Sequence, residues 1–168
     1  WDTMTAALAE QEPWWEPGTR HGYHALTYGW LVGEVIRRIT GKSVGTYFRE
    51  EIAGPLDIDF HIGLSGAVEA RAIDLIPPAP PSQEQITLFT EILKDLDSML
   101  AKALINPMLA PDSVNSREWR RAEIPAANGH ANARALARLY GALANGGGLD
   151  GFRVLTQASI DRALEEHS

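Results

Sequence analysis

Only one stretch of this sequence alternates polar and apolar residues at the period of a strand: Asp57 to Leu64, with Ile58, Phe60, Ile62 and Leu64 on one side. Elsewhere the apolar residues return every three or four positions, the period of a helix. About six helical segments stand against that one strand. The imbalance restricts the chain to a mainly α architecture with a short β element.

Local punctuation bounds the helices. Asp2 to Gln11 has helical composition and stops before Pro13 and the pair Trp14-Trp15, and Pro17-Gly18 is a turn. A second helix starts soon after Tyr23 and runs to a capping Gly41, with Leu31, Val32, Val35, Ile36 and Ile39 as its apolar stripe. Arg37 and Arg38 lie at its C-terminal end, where cations oppose the helix dipole. Ser43 N-caps a short helix that buries Tyr47, Phe48 and Ile52 and ends near Ala53, before Gly54-Pro55.

The run Pro77 to Pro81 is an extended loop, because proline lacks the amide donor that helices and sheet interiors use. It reads as a spacer rather than as a ligand for a proline-binding module. Ser82 and Gln85 form a capping box for a helix reaching about Leu104, its stripe running through Ile86, Phe89, Ile92, Leu93, Leu96, Met99 and Leu100. Asn106-Pro107 ends it. Ser113 to Arg121 forms another short helix packed through Trp119, and Asn128-Gly129 is a turn. The helix from Asn132 to Asn145 buries Leu136, Leu139, Tyr140 and Leu143 before the stop Gly146-Gly147-Gly148. Phe152 to Leu155 is briefly extended, and Thr156 caps a last helix.

Composition excludes several functions. With 168 residues, 45% hydrophobic and 22% charged, the chain fits one globular domain or a large piece of one. The absence of cysteine removes disulfide scaffolds, thiolate metal sites and cysteine nucleophiles. A net charge of -7, from 15 basic and 22 acidic residues, argues against a nucleic-acid partner and against docking on anionic lipid. No apolar run approaches the ~20 residues of a membrane span. The start shows no leader pattern, which favours a cytoplasmic location. The chain opens at Trp1 and closes in a helix without a glycine or proline brake, which fits either a processed start with a frayed end or an internal piece of a longer protein, residues 1–168 then being a single partial domain.

Few residues are candidates for chemistry. His21 and His24 are spaced three apart, but in a turn region and without a helical His-Glu-x-x-His motif, so they read as solvated histidines rather than zinc ligands. Gly63-Leu64-Ser65-Gly66-Ala67 approaches a nucleophile elbow, with alanine at its last position and no alternating strand-helix pattern around it. It reads as a small-residue turn. His61, before Ile62-Gly63, is the polar side of a half-buried strand. No cofactor or metal is implied.

Tyr23 gains meaning from its setting. The run Pro17-Gly18-Thr19-Arg20-His21-Gly22-Tyr23-His24-Ala25-Leu26-Thr27-Tyr28-Gly29 leads into the apolar helix Trp30-Leu31-Val32-Gly33-Glu34-Val35-Ile36. It resembles the second motif region of the serine β-lactamase and penicillin-binding-protein superfamily. Thr40-Gly41-Lys42-Ser43, Tyr47-Phe48, Ile52-Ala53-Gly54-Pro55-Leu56 and Ile62-Gly63-Leu64 continue that likeness in order. So do Asn128-Gly129-His130 and the helix from Ala135 to Gly147. The Tyr-His-Ala-x-Thr-Tyr-Gly variant is most similar to the class C-like family VIII carboxylesterases.

The resemblance implies that the chain is the helical middle portion of a β-lactamase-like α+β fold, with the central antiparallel sheet largely missing. It implies a serine hydrolase acting on carboxylic esters or β-lactams through an acyl-enzyme, with Tyr23 as the catalytic general base. A free tyrosine titrates near 10, so the family's tyrosine works beside a lysine that favours its phenolate. The Ser-x-x-Lys nucleophile motif of the family precedes the tyrosine, and no serine of this chain has lysine three positions on. The third Lys/His-x-Gly motif follows later, and His61-Ile62-Gly63 falls too early to be it. The chain alone is therefore expected to be inactive, exposing apolar surface that the remaining parts of the parent chain would cover. Two alternatives stay open: a non-catalytic β-lactamase-like binding or regulatory module, and an unrelated helical interaction domain. A Tyr23 ring buried away from any cleft would favour the second.

Overall fold

The computed structural model describes residues 1–76, 79–110 and 113–166. Helix α1 (Asp2–Glu10) packs on α2 (Thr27–Thr40). The Trp1 indole donates to Glu34 at 2.9 Å, and Asp2 pairs with Arg37 at 3.0 Å. The α2 helix ends at Gly41, whose φ of 70° is the left-handed conformation that glycine adopts without a Cβ clash. The Ser43 hydroxyl accepts from the Thr46 amide and starts α3 (Val44–Phe48), which widens into a π turn at Arg49–Ala53. This segment closes where the sequence pattern ends it.

Strand β1 (Phe60–Ile62) is shorter than the alternating run predicts. Asp57 and Gly63, with φ of 50° and 77°, bracket it. The Ile58 amide turns back to the Ala53 carbonyl, and the Leu64 amide reaches Arg120, so only three residues are left to pair. A single turn, α4 (Gly66–Glu69), follows.

Pro77 and Pro78 lie outside the described residues, and the rest of that run, through Pro81, has no regular structure. The Ser82/Gln85 capping box is formed and opens α5 (Gln83–Lys94). The single long helix expected from Ser82 to Leu104 does not form. It breaks at Asp95, and α6 (Met99–Ile105) starts afresh on a Ser98 cap. The Asp95 side chain accepts from the Asp97 amide, and the Ser98 hydroxyl donates to the Asp95 carbonyl. These side chains offer the backbone a turn in place of the helical ladder, a competition that leucine periodicity does not register. Ser113–Asn115 forms a 3-10 turn and α7 (Arg117–Arg121) follows under a Ser116 cap.

Asn128-Gly129 is not the turn that the dipeptide suggests. The turn comes earlier, where the Ala127 and Asn128 amides return to the Ile124 carbonyl. Gly129 opens strand β2 (Gly129–Ala131), antiparallel to β1 with His130 opposite His61. Asn132 caps α8 (Ala133–Ala144). A hairpin of β3 (Gly148–Leu149) and β4 (Phe152–Arg153) leads to α9 (Gln157–Ala163), capped by Thr156. The sequence pattern marks β4 but not β3.

The core gathers Trp30, Val44, Ala53, Leu56, Leu64, Ile124, Ala135 and Ala142. Phe48 meets Phe60 edge-on with centroids 4.7 Å apart, a contact worth about 0.5–1.5 kcal/mol beyond its buried area. Arg138 of α8 donates to the Leu56 carbonyl and pairs with Asp150 at 2.7 Å.

Several apolar stripes face outward rather than inward. Leu31, Val32, Val35 and Ile39 of α2 are exposed, and the buried side of that helix is Gly29, Trp30 and Gly33. On α8, Leu136 and Tyr140 are exposed while Ala135 and Ala142 are buried. On α5 and α6, Ile92 and Ala101 are buried and Phe89, Leu93 and Leu100 are not, nor is Leu96 in the break between them. Periodicity identifies an apolar face; it does not say what lies against it. The architecture is mainly α with short β elements.

Candidate active site

Tyr23 stands in an extended segment between the Gly18 turn and the first residue of α2. The residue is 73% exposed. Among the described residues no group hydrogen-bonds its hydroxyl. One residue on, His24 Nδ1 lies 2.9 Å from the Thr27 hydroxyl and links the segment to the start of α2. Tyr23 edges an open cavity of about 500 Å³ shared with His24, Ala25, Tyr28, Pro125 and Ala126.

The far wall of this cavity comes from a distant part of the chain, and polar side chains hold it. Asn128 is 2% exposed. Its carboxamide oxygen accepts from the Ile124 amide at 2.9 Å, and its nitrogen donates to the Trp119 and Ala122 carbonyls at 2.7 and 2.6 Å. Glu123, beside it, accepts from the Ser43 hydroxyl at 2.7 Å and the Gly45 amide at 2.9 Å. The turn at 122–128 is thus tied both internally and to the N-terminus of α3. It presses Ala126 against α2 at Gly29, where a Cβ would fall 2.5 Å from the Ala126 nitrogen. Only glycine permits that approach, which brings Ala126 up to form one side of the cavity.

The remaining candidates fall elsewhere. Ser65 is exposed, in ordinary extended backbone ahead of α4, and does not line the cavity. It lacks the strained strand-to-helix geometry of a nucleophile elbow. His61 lies 2.9 Å from Asp59, which also receives two bonds from Arg71. The Arg71 guanidinium, helped by His61, holds the Asp59 carboxyl well below its ordinary value. That cluster is a surface ion pair off the cavity. Among the described residues no three metal-ligating side chains converge, around His21 and His24 or anywhere else. No described helix is long and apolar enough to cross a membrane.

Sequence reasoning singled out Tyr23 but missed the wall opposite it. Pro125 and Ala126 carry no signature of a site, and the Glu123 contacts to Ser43 and Gly45 span nearly half of the chain. The one available signal was Asn128, whose dipeptide with Gly129 reads as a surface turn while its side chain in fact organises a buried one.

The structure thus sets a tyrosine at the edge of a cavity, ahead of a glycine-bearing helix in a mainly α framework. The model of the Beta-lactamase family matches residues 1–166, and the chain belongs to that family. The esterase/beta-lactamase LipL of Mycobacterium tuberculosis is 40% identical over 147 residues, which are 84% of this chain and 34% of that protein. A penicillin-binding-protein homolog from Caulobacter crescentus superposes with a TM-score of 0.79 at 42% identity, over all of this chain and 42% of its own. A family VIII carboxylesterase gives a TM-score of 0.79 at 40% identity, over 96% of this chain and 40% of its own. The chain therefore spans well under half the length of these relatives. It is the mainly helical portion of a β-lactamase-like fold, and the unrelated helical domain is set aside.

Proposed function

We propose that this chain is the helical part of a serine hydrolase that cleaves carboxylic esters through an acyl-enzyme, with Tyr23 as its general base. The observation that carries the reading is the placement of Tyr23: exposed at a cavity edge, with a hydroxyl that no described group engages. A general base must reach its proton within about 2.6–3.2 Å, and a phenol already committed to a structural bond would not serve.

The steps follow from that role. A serine from another part of the protein attacks the ester carbonyl carbon, and the Tyr23 phenolate takes the proton from its Oγ. The carbon–oxygen bond to the alcohol breaks as Tyr23 returns the proton to the leaving alkoxide. Water then attacks the acyl-serine, gives its proton to Tyr23, and the serine recovers that proton as the acid departs. This chain supplies the base and one side of the cavity. Without the nucleophile it is inactive alone.

The outward stripe of α2 supports the same reading. It starts at Tyr28, which lines the cavity, and continues through Leu31, Val32, Val35 and Ile39. Such a contiguous apolar face is the kind that a further layer of the protein covers. Ester preference over lactam rests on Ala25, which lines the cavity without a hydrogen-bonding side chain for a lactam amide. Faster turnover of a chromogenic cephalosporin than of a short-chain nitrophenyl ester would reverse that preference.

The test is steady-state hydrolysis of the nitrophenyl ester by the full-length protein and its Tyr23→Phe variant. Loss of the general base lowers kcat by roughly two to four orders of magnitude. An unchanged kcat would remove Tyr23 from the mechanism, and a full-length protein inert towards both substrates would favour a non-catalytic module.

A further inference from the structure

Two adjacent tryptophans precede the tyrosine loop, and the structure gives them different work. Trp14 turns towards α6, with the Lys102 ammonium 5.3 Å from its ring centroid. Trp15 lies under the loop itself. Its indole N–H donates to the Arg20 carbonyl at 3.2 Å. Its ring also fills the space beside Gly22, where a Cβ would fall 2.5 Å from Cη2 and 3.1 Å from Cζ2. The fold-back that allows this is the turn at Pro17-Gly18, with Gly18 at φ 85° and Thr19 donating to the Glu16 carbonyl through both amide and hydroxyl.

We propose that Trp15 is a positioning residue for Tyr23, setting the height and direction of the phenol through the backbone of residues 20–22. The inference rests on the reading of Tyr23 as the general base. Tyr23 does not anchor itself, since no described group bonds its hydroxyl. Contacts on each side help to hold the loop that carries it, Trp15 before it and the His24–Thr27 contact after it. The indole provides both a directional bond and a flat surface, and Gly22 is the residue that lets the two meet. Displacing a reacting group by about 1 Å costs on the order of 100-fold in rate, so a brace one residue from the phenol bears on turnover.

The experiment is a double-mutant cycle in the full-length protein, with ester hydrolysis as readout. Trp15→Phe keeps an aromatic ring and removes the N–H. It lowers kcat about tenfold or more while KM stays within about twofold, since what is lost is alignment for the chemical step. In the Tyr23→Phe background the same change has almost no further effect, because no phenol remains to be placed. Gly22→Ala pushes the ring from the other side and reproduces the kinetic pattern if Trp15→Phe does not fold. Equal fold-losses from Trp15→Phe with and without Tyr23, or no loss at all, would overturn the brace while leaving the Tyr23→Phe result standing. If Tyr23→Phe itself retains full kcat, the general-base reading fails first and the brace fails with it.

Discussion

The turn at 122–128 and the arm made of α5 and α6 are built by opposite means. In the turn, local bonds are joined to bonds that cross the chain: Asn128 gathers Trp119, Ala122 and Ile124, and Glu123 holds the distant Ser43 and Gly45. In the arm, most bonds are local: Ser82 with Gln85, Lys94 with Glu91, Ser98 with Ala101. Only Ile92 and Ala101 of the arm are deeply buried, and Phe89, Leu93, Leu96 and Leu100 remain at the surface. The contrast separates two sources of order. The turn satisfies its polar groups within the chain and is complete as it stands. The arm takes its helices from local capping and leaves its apolar face without a partner among the described residues.

The sharpest way to break this contrast is to cut the turn at its centre. Asn128→Ala orphans three backbone groups, and each unsatisfied buried group costs about 1–3 kcal/mol. Because two of the three bonds are partly open to solvent, we expect a loss of about 2–4 kcal/mol in denaturant unfolding. A loss below about 0.5 kcal/mol would mean that the turn holds its shape without Asn128. The second comparison is by amide exchange. Amides of α5 should exchange at least about tenfold faster than those of α8, since local opening tracks the buried apolar contacts that hold an element. Equal protection would show that the arm is as firmly built as the rest.

The smallest expected effect concerns the join between α1 and α2. Glu34 is held at about 2, below its ordinary 4.5, first by Arg37 and then by Trp1 and Arg38. A carboxylate lowered on folding stabilises the fold above its unfolded value and loses that contribution as pH falls towards its folded one. The join therefore weakens as pH drops from about 4.5 to about 2. Glu34→Gln should flatten that part of the Tm-against-pH curve, and parallel curves for the two proteins would contradict the assignment.

The readable parts of the molecule were those decided by neighbours in sequence. Gly41, the Ser82/Gln85 box and the Thr156 cap act within one turn, and each ends or starts a helix where expected. What escaped depends on distant residues. The β1–β2 pairing joins His61 to His130, and no local pattern around Gly129 announces it. The exposed stripes of α2, α5 and α8 look like core in sequence because periodicity reports amphipathicity and not its partner. Tyr23 became a candidate through its motif, not through any property of tyrosine. Its wall at Pro125 and Ala126 became visible only in three dimensions.

As the proposed general base, Tyr23 moves the proton when the acyl-enzyme forms, and the pre-steady-state burst of nitrophenol release from the full-length protein reads that step. Our account predicts that Tyr23→Phe slows this acylation phase by about 100-fold to 10,000-fold while thermal unfolding stays unchanged. A burst of the same rate and amplitude in the variant would contradict it.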